Sequence, residues 1–343
     1  MMLAARGIAI TVAAVAAQVG TATHASAQAS ATAEFYRGKT VSVVIGSKSG
    51  SLSVAAQIVG RHIGRHLPGG PSSVSQQMPG AAHLVATNYV YNVAQPDGLT
   101  LLAVNPQVAM AQLAKVPAVR FDIRRFEWLG SSGSDGVLLG IRTDLPYRTF
   151  EDLRRADQPL IVGSTGPGSN SYDFPMLLKE FAGANFKLLT GYAANTDVFL
   201  AIQRKEVDAW TALSTTVKLA TQQGIVRPVV RARTPVPGFD HLPVDETLAA
   251  DPVGRSLMAI RGIPLSIGRA FAVRPGTPPD RIAALREALA ATIADPRFQA
   301  ETKGATIETE HIPAATVVKL FDELMNQPPA VLEVMSKYIK AGD

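Results

Sequence analysis

The 343-residue sequence contains no cysteine. Its fold must hold without disulfides, and it has neither a thiol nucleophile nor an attachment point for a bacterial lipoprotein anchor. Aromatic residues make up only 6%, so stacking platforms for bases or sugars are not abundant. Beyond the N-terminus no segment is apolar for the roughly 20 residues that a membrane-spanning helix needs. Several enzyme signatures are missing as well, with no G-x-S-x-G elbow and no S-x-x-K. His62 and His66 stand at i, i+4, but the Glu of an H-E-x-x-H zinc site is absent and no third ligand is near. The glycine-rich stretch after Gly163 is followed by no Lys-Ser/Thr pair, which excludes a phosphate-binding P-loop. No catalytic residue, metal or cofactor is therefore expected. The scattered carboxylates Asp173, Asp197 and Asp208 leave general acid–base chemistry, as in a hydrolase, open to a direct turnover assay.

What the chain does have begins with a leader. Arg6 supplies a positive start, Ile8 to Val19 an apolar stretch, and Ala25-Ser26-Ala27 a small-residue cleavage site. This is the pattern of a secretory signal peptide over residues 1–27, with a mature chain from about Gln28. An apolar core of about a dozen residues is too short to stay behind as an anchor. Removing Arg6 with the leader lowers the formal net charge of +5 by one. The basic pairs Arg124-Arg125, Arg154-Arg155 and Arg204-Lys205 each lie near acids, not along a phosphate-tracking stripe, so no nucleic-acid partner is expected. A mild positive field still favours encounter with an anion.

Strand and helix signals alternate along the mature chain. Val41 to Ile45 reads as a buried strand, followed by Ala55, Ile58, Val59, His62 and Ile63 at helical spacing. Leu99 to Val104, Leu160 to Gly163, Phe186 to Thr190, Val207 to Thr211, Val226 to Arg231 and Ala270 to Val273 read as further strands, with helices over Tyr172 to Phe181 and Thr196 to Arg204. Thr149 with Asp152 three residues on has the form of a capping box. After Pro278 helices dominate, with one more strand expected around Ile307. The class is α/β with mostly parallel sheets. The length suits two domains, and no low-complexity linker divides them, which points to paired crossovers. The expected division is residues 28–139 with 265–343 in one lobe and 140–264 in the other, hinged at the glycine clusters Gly136–Gly140 and Gly262–Gly268.

In such sheets a ligand sits beyond the C-terminal strand ends, where helix N-termini expose unpaired N–H groups. Three loops stand at such places: Gly46 to Ser53, Ser164 to Ser171 and Gly191 to Thr196. All are small, hydroxyl-rich or amide-bearing, and each opens a helix. Neutral donors combined with a helix dipole suit an anion.

Phe35-Tyr36-x-Gly38-Lys39-Thr40, Gln77-Met78-Pro79-Gly80-Ala81, Asn88-Tyr89 with Pro96-Asp97-Gly98, the Ser164 to Ser171 loop, Gly191-Tyr192 with Glu206-Val207-Asp208, and Arg274 to Pro279 occur in that order. Together they resemble the Bug (TctC-like) receptors of tripartite tricarboxylate transporters, over almost the whole mature chain. The resemblance implies a type II, Venus-flytrap periplasmic binding protein, monomeric, with two α/β lobes and two crossovers between them. Such a protein is not an enzyme; it hands a small organic acid to membrane permease subunits. The resemblance also implies a ligand-binding set comprising Ser47, Lys48, Ser49, Gly50, Ser51 and Ser53 of the first loop, with Gln77, Gly80, Ala81 and Asn105. Thr165, Gly166, Ser169 and Asn170 of the second loop, Tyr192 and Asn195 of the third, and Ser214 complete it. A sensory protein that docks on a signalling partner would use the same liganded lobes, and the genes flanking this one distinguish the two.

One departure bears on the ligand. Ser53 stands where the family pattern expects an Asp able to meet an ammonium group, and a serine capping the helix repels no carboxylate. The expected ligand is thus an anion without an amino group, a di- or tricarboxylate or an aromatic carboxylate. Lys48 either adds a cation at the mouth of the site or points into solvent.

Overall fold

The structure, a computed structural model, describes residues 30–338; the leader expected at residues 1–27 lies outside them. A short helix α1 (30–36) leads into β1 (Thr40–Ile45), α2 (Ser51–His62), β2 (Ser72–Gln77), α3 (Leu84–Asn92), β3 (Thr100–Val104), α4 (Val108–Leu113) and β4 (Glu127–Ser131). The chain then passes through β5 (Val137–Arg142), α5 (Phe150–Arg154), β6 (Leu160–Gly163), α6 (Asn170–Ala182), β7 (Phe186–Leu189), α7 (Asn195–Gln203), β8 (Ala209–Leu213), α8 (Ser214–Gln222), β9 (Val226–Arg231), α9 (Asp245–Leu248) and α10 (Pro252–Ile267). It ends with β10 (Ala270–Val273), α11 (Pro279–Ala294), α12 (Pro296–Gly304), β11 (Ile312–Pro313), α13 (Ala314–Met325) and α14 (Pro329–Tyr338). These strands form two sheets, ordered β11-β4-β10-β3-β1-β2 and β7-β6-β8-β5-β9. The architecture is two-lobed α/β.

The apolar runs that mark the strands are continuous because both faces of each sheet are covered. In β1, Val41, Val43 and Ile45 pack into one core while Val44 enters another; β3 divides likewise, with Leu101 and Ala103 on one side and Leu102 and Val104 on the other. The two-residue period of a strand sends neighbours to opposite faces. The core on one face of the first sheet continues into the second lobe through Ile260, Ile263 and Ile267 of α10, Phe174 and Leu177 of α6, and Leu139 and Ile141 of β5. Each such side chain contributes about 1.5–3 kcal/mol on full burial. A core shared between lobes is why no linker sequence separates them.

The sheets are mixed, not mostly parallel as the alternation suggested. β1 pairs parallel with β2 and β3, and β6 with β7 and β8. β10 runs antiparallel to β3 and β4, β11 to β4, and β5 to β8 and β9. The antiparallel pairings belong largely to strands next to a crossover: β5 has just left the first lobe and β10 has just returned to it, and each enters its sheet from the opposite end. Ile307 lies in irregular chain, and the last strand comes at Ile312–Pro313.

The expected division of the chain shifts in two places. β5 starts at Val137 and is already in the second sheet, so the first crossing occupies Ser132 to Gly136, and Gly140 is an interior strand residue. α14 packs on α6 and α10, with Tyr338 edge-on to Phe181 at 5.0 Å. The last described helix therefore returns to the second lobe.

Candidate functional site

The two crossovers run side by side. The backbone N–H of Ser132 donates to the carbonyl of Arg269 at 2.9 Å, that of Arg269 to Gly133 at 2.9 Å, and that of Asp135 to Leu265 at 2.9 Å. Gly268 has φ 66°, and a Cβ on it would overlap the Gly133 carbonyl; only glycine permits this approach. The Arg269 guanidinium, 3% exposed, reaches Asp135 at 2.6 Å and donates to the Glu308 carbonyl at 2.6 Å.

Beside these crossovers, at the C-terminal ends of β1 and β3, is a cavity of about 260 Å³ lined by Ser47, Ser49, Gly50, Ser51, His83, Asn105, Asp135 and Arg269 among others. It holds five of the residues expected from sequence: Ser47, Ser49, Gly50, Ser51 and Asn105. The N-terminus of α2 opens into it, with no side-chain cap and no acid in the first turn. An uncapped first turn presents unpaired N–H groups and partial positive charge. Ser214 lies next door, buried, lining with Ser51, Asp135 and Arg269 a smaller cavity of about 50 Å³.

The remaining expected residues are elsewhere or otherwise engaged. Ser53 does not cap α2. It is buried, its hydroxyl donating to the Ser47 carbonyl at 3.3 Å and accepting from the Gln57 amide at 3.2 Å, so it braces the first loop from behind. Lys48, Gln77, Gly80 and Ala81 are exposed, and the Gln77 amide donates to the Lys48 carbonyl at 3.4 Å.

Thr165, Gly166, Ser169 and Asn170 belong to the other lobe and do not line this cavity. Their polar groups are largely turned on one another. The Thr165 N–H donates to Ser171 Oγ at 3.1 Å, and Ser169 Oγ donates to the Gly166 carbonyl at 2.7 Å. Asn170 Oδ1 accepts from Arg261 of α10 at 3.2 Å, and Arg261 pairs with buried Asp245 at 2.8 Å. Beneath the same loop, burial raises the Asp173 carboxyl to about 6, with the Gly168 N–H and Arg261 acting against it. Asn195 accepts from the indole N–H of Trp210 at 2.9 Å, a contact that anchors α7 on β8. Tyr192 packs half-buried on the same core, burial pushing its hydroxyl up, with Glu206 adding to the shift.

Sequence reading missed His83, Asp135 and Arg269. Asp135 and Arg269 each stand one residue outside an expected glycine hinge, Gly136–Gly140 and Gly262–Gly268, and only the pairing of the two crossovers brings them together. The paired histidines of α2 and the turn after it serve packing. His62 Nε2 meets Glu301 at 2.8 Å, and His66 Nε2 meets Asp295 at 3.1 Å.

The sequence matches no family model and no curated protein. Solved structures do resemble it. A ligand-free TctC solute-binding protein from Polaromonas superposes with a TM-score of 0.72 at 18% identity, covering 88% of this chain and 99% of its own. The chain has the TctC and Bug fold. The periplasmic binding protein BugD gives a TM-score of 0.55 at 21% identity over 88% of this chain and 98% of that one. MatC from Rhodopseudomonas palustris, with bound malate, gives 0.54 at 19% identity over 86% and 99%. In this fold the serine-lined cavity lies beside the crossovers at the strand ends of the first sheet, where open α/β sheets place their ligands.

Proposed function

We propose that the chain is a periplasmic solute-binding protein of the TctC and Bug type. It captures a small organic acid, a di- or tricarboxylate or an aromatic carboxylate, between its lobes and releases it unchanged to permease subunits of a tripartite tricarboxylate transporter. The observation that carries this reading is the uncapped, acid-free N-terminus of α2 opening into a cavity lined by serine hydroxyls and Asn105. Neutral donors and a helix dipole hold a carboxylate without a counter-charge of their own. The malate named for MatC supports the same ligand chemistry. The second loop, facing from the other lobe, joins the site when the lobes close. The protein acts as a monomer whose leader is removed on export, with no cofactor.

A thermal-shift screen of carboxylates tests the reading, since a ligand that binds only the folded state raises Tm with concentration. Stabilisation by one or a few acids, with the acid recovered intact, is the expected result. Turnover of the stabilising acid would replace the reading with an enzymatic one, and a neighbouring histidine kinase gene in place of permease genes would move it to sensing.

A further inference from the structure

Ala81, Ala82 and His83 lie consecutively in the left-handed region, with φ of 43°, 48° and 75°. No glycine relaxes this run, and side chains bearing a Cβ resist it. Strain of this kind persists where surrounding structure imposes it, typically at binding sites. The turn lays the His83 imidazole against Gly46 at the end of β1, where a Cβ would stand 2.7 Å from Nδ1. A strained turn on one side and an obligatory glycine on the other thus combine to put one ring on the wall of the cavity. Its Nδ1 is buried without a hydrogen-bond partner.

Resting on the function proposed above, we infer that His83 is a specificity-determining residue of this cavity, donating to the ligand's carboxylate and taking up a proton as the acid binds. Burial holds the imidazole below its usual range in the free protein, so it is neutral near pH 7. The charged side chains lining the cavity with it are Asp135 and Arg269, which neutralise each other; Lys48 stands exposed on the first loop. A carboxylate entering beside the ring adds an unbalanced negative charge and favours the imidazolium. With Nδ1 closed off against Gly46, the carboxylate meets Nε2; the imidazolium always donates there, and a carboxylate only accepts. The proton comes from solvent, and no bond within the acid changes. Affinity therefore rises as pH falls through the window between the free and bound pKa values.

The test is titration calorimetry of the chain from residue 28 with malate, adipate and citrate, at about pH 6 and about pH 8, in buffers of different protonation enthalpy. The wild-type protein should take up a fraction of a proton per acid and bind about tenfold more tightly at the lower pH, one pKa unit being one factor of ten. His83→Asn keeps a residue that tolerates the left-handed region, and His83→Gly relieves the strain altogether. Both should bind more weakly, with a proton uptake and pH dependence reduced to the acid's own ionisation. Wild-type-like uptake in both variants, or none in the wild type, would overturn the role of His83 and leave the binding function standing. Absence of binding of all three acids to the wild type would overturn both.

Discussion

Arg269 and Asp135, one from each crossover, form a 2.6 Å ion pair against the wall of the cavity. The guanidinium is nearly inaccessible while the carboxylate is 28% exposed, so the two partners are unequal. Removing the arginine leaves a carboxylate that water can reach, whereas removing the carboxylate's charge leaves a buried cation held by the Ser134 and Glu308 carbonyls with no counter-charge.

Asp135→Asn should therefore lower unfolding free energy by about 3 kcal/mol, and Arg269→Met by only about 1, since breaking a buried pair costs most when the group left behind is buried. Urea denaturation of both variants checks the ranking; equal losses would contradict it.

Stability should depend on pH through Asp173. Its folded pKa of about 6 lies above its ordinary 3.8, so the folded state binds the proton more tightly than the unfolded state. The stabilisation this gives is complete below about pH 4 and is lost as pH rises through about 6. Asp173→Asn removes the ionisation, and urea unfolding should find the variant more stable by up to about 2 kcal/mol at about pH 7.5, with no gain at about pH 4. A gain of equal size at both pH values would contradict the assignment.

Thr165 reports on closure. Its hydroxyl meets Ser171 Oγ at 3.1 Å in the second lobe, away from the cavity beside α2. Thr165→Ala should leave Tm of the free protein nearly unchanged yet weaken the acid about tenfold, the worth of one hydrogen bond to a charged group. Solution scattering should show a smaller radius of gyration in the liganded wild type. Unchanged affinity in the variant together with unchanged scattering would confine the site to the first lobe.

Much of the α/β grammar was legible because buried strands such as Thr100–Val104 and Ala270–Val273 are short apolar runs bounded by turns. β2 was not, since Ser72–Gln77 is an exposed, polar edge strand with no apolar run to mark it. The antiparallel pairings escaped for another reason: strand direction across a crossover is a tertiary property that no local pattern encodes. At the site, the serines of the first loop were legible from composition and position after a strand. His83 was not, because its placement depends on three left-handed residues, and nothing in Ala-Ala-His announces that conformation. Ser53 was misassigned as a cap since only the fold reveals that its hydroxyl turns back on Ser47.

Lys48 is exposed on the rim of the first loop, where a charge guides encounter more than it holds a ligand. Lys48→Ala should reduce the association rate several-fold, an effect that added salt reproduces in the wild type. Stopped-flow binding at low and high ionic strength separates this from a change in dissociation rate, which would signal a direct ion pair.

Capture of an organic acid at the N-terminus of α2 is open to calorimetric titration of Ser51→Glu alongside the wild type. Ser51 is the exposed first residue of α2 and lines the cavity. A glutamate there favours the helix, because acids stabilise N-terminal turns, so lost binding is not confused with lost folding. The wild type should bind a carboxylate at a single site, and Ser51→Glu, equally stable, should bind at least about tenfold more weakly through repulsion. Undiminished binding by Ser51→Glu would contradict capture at this terminus.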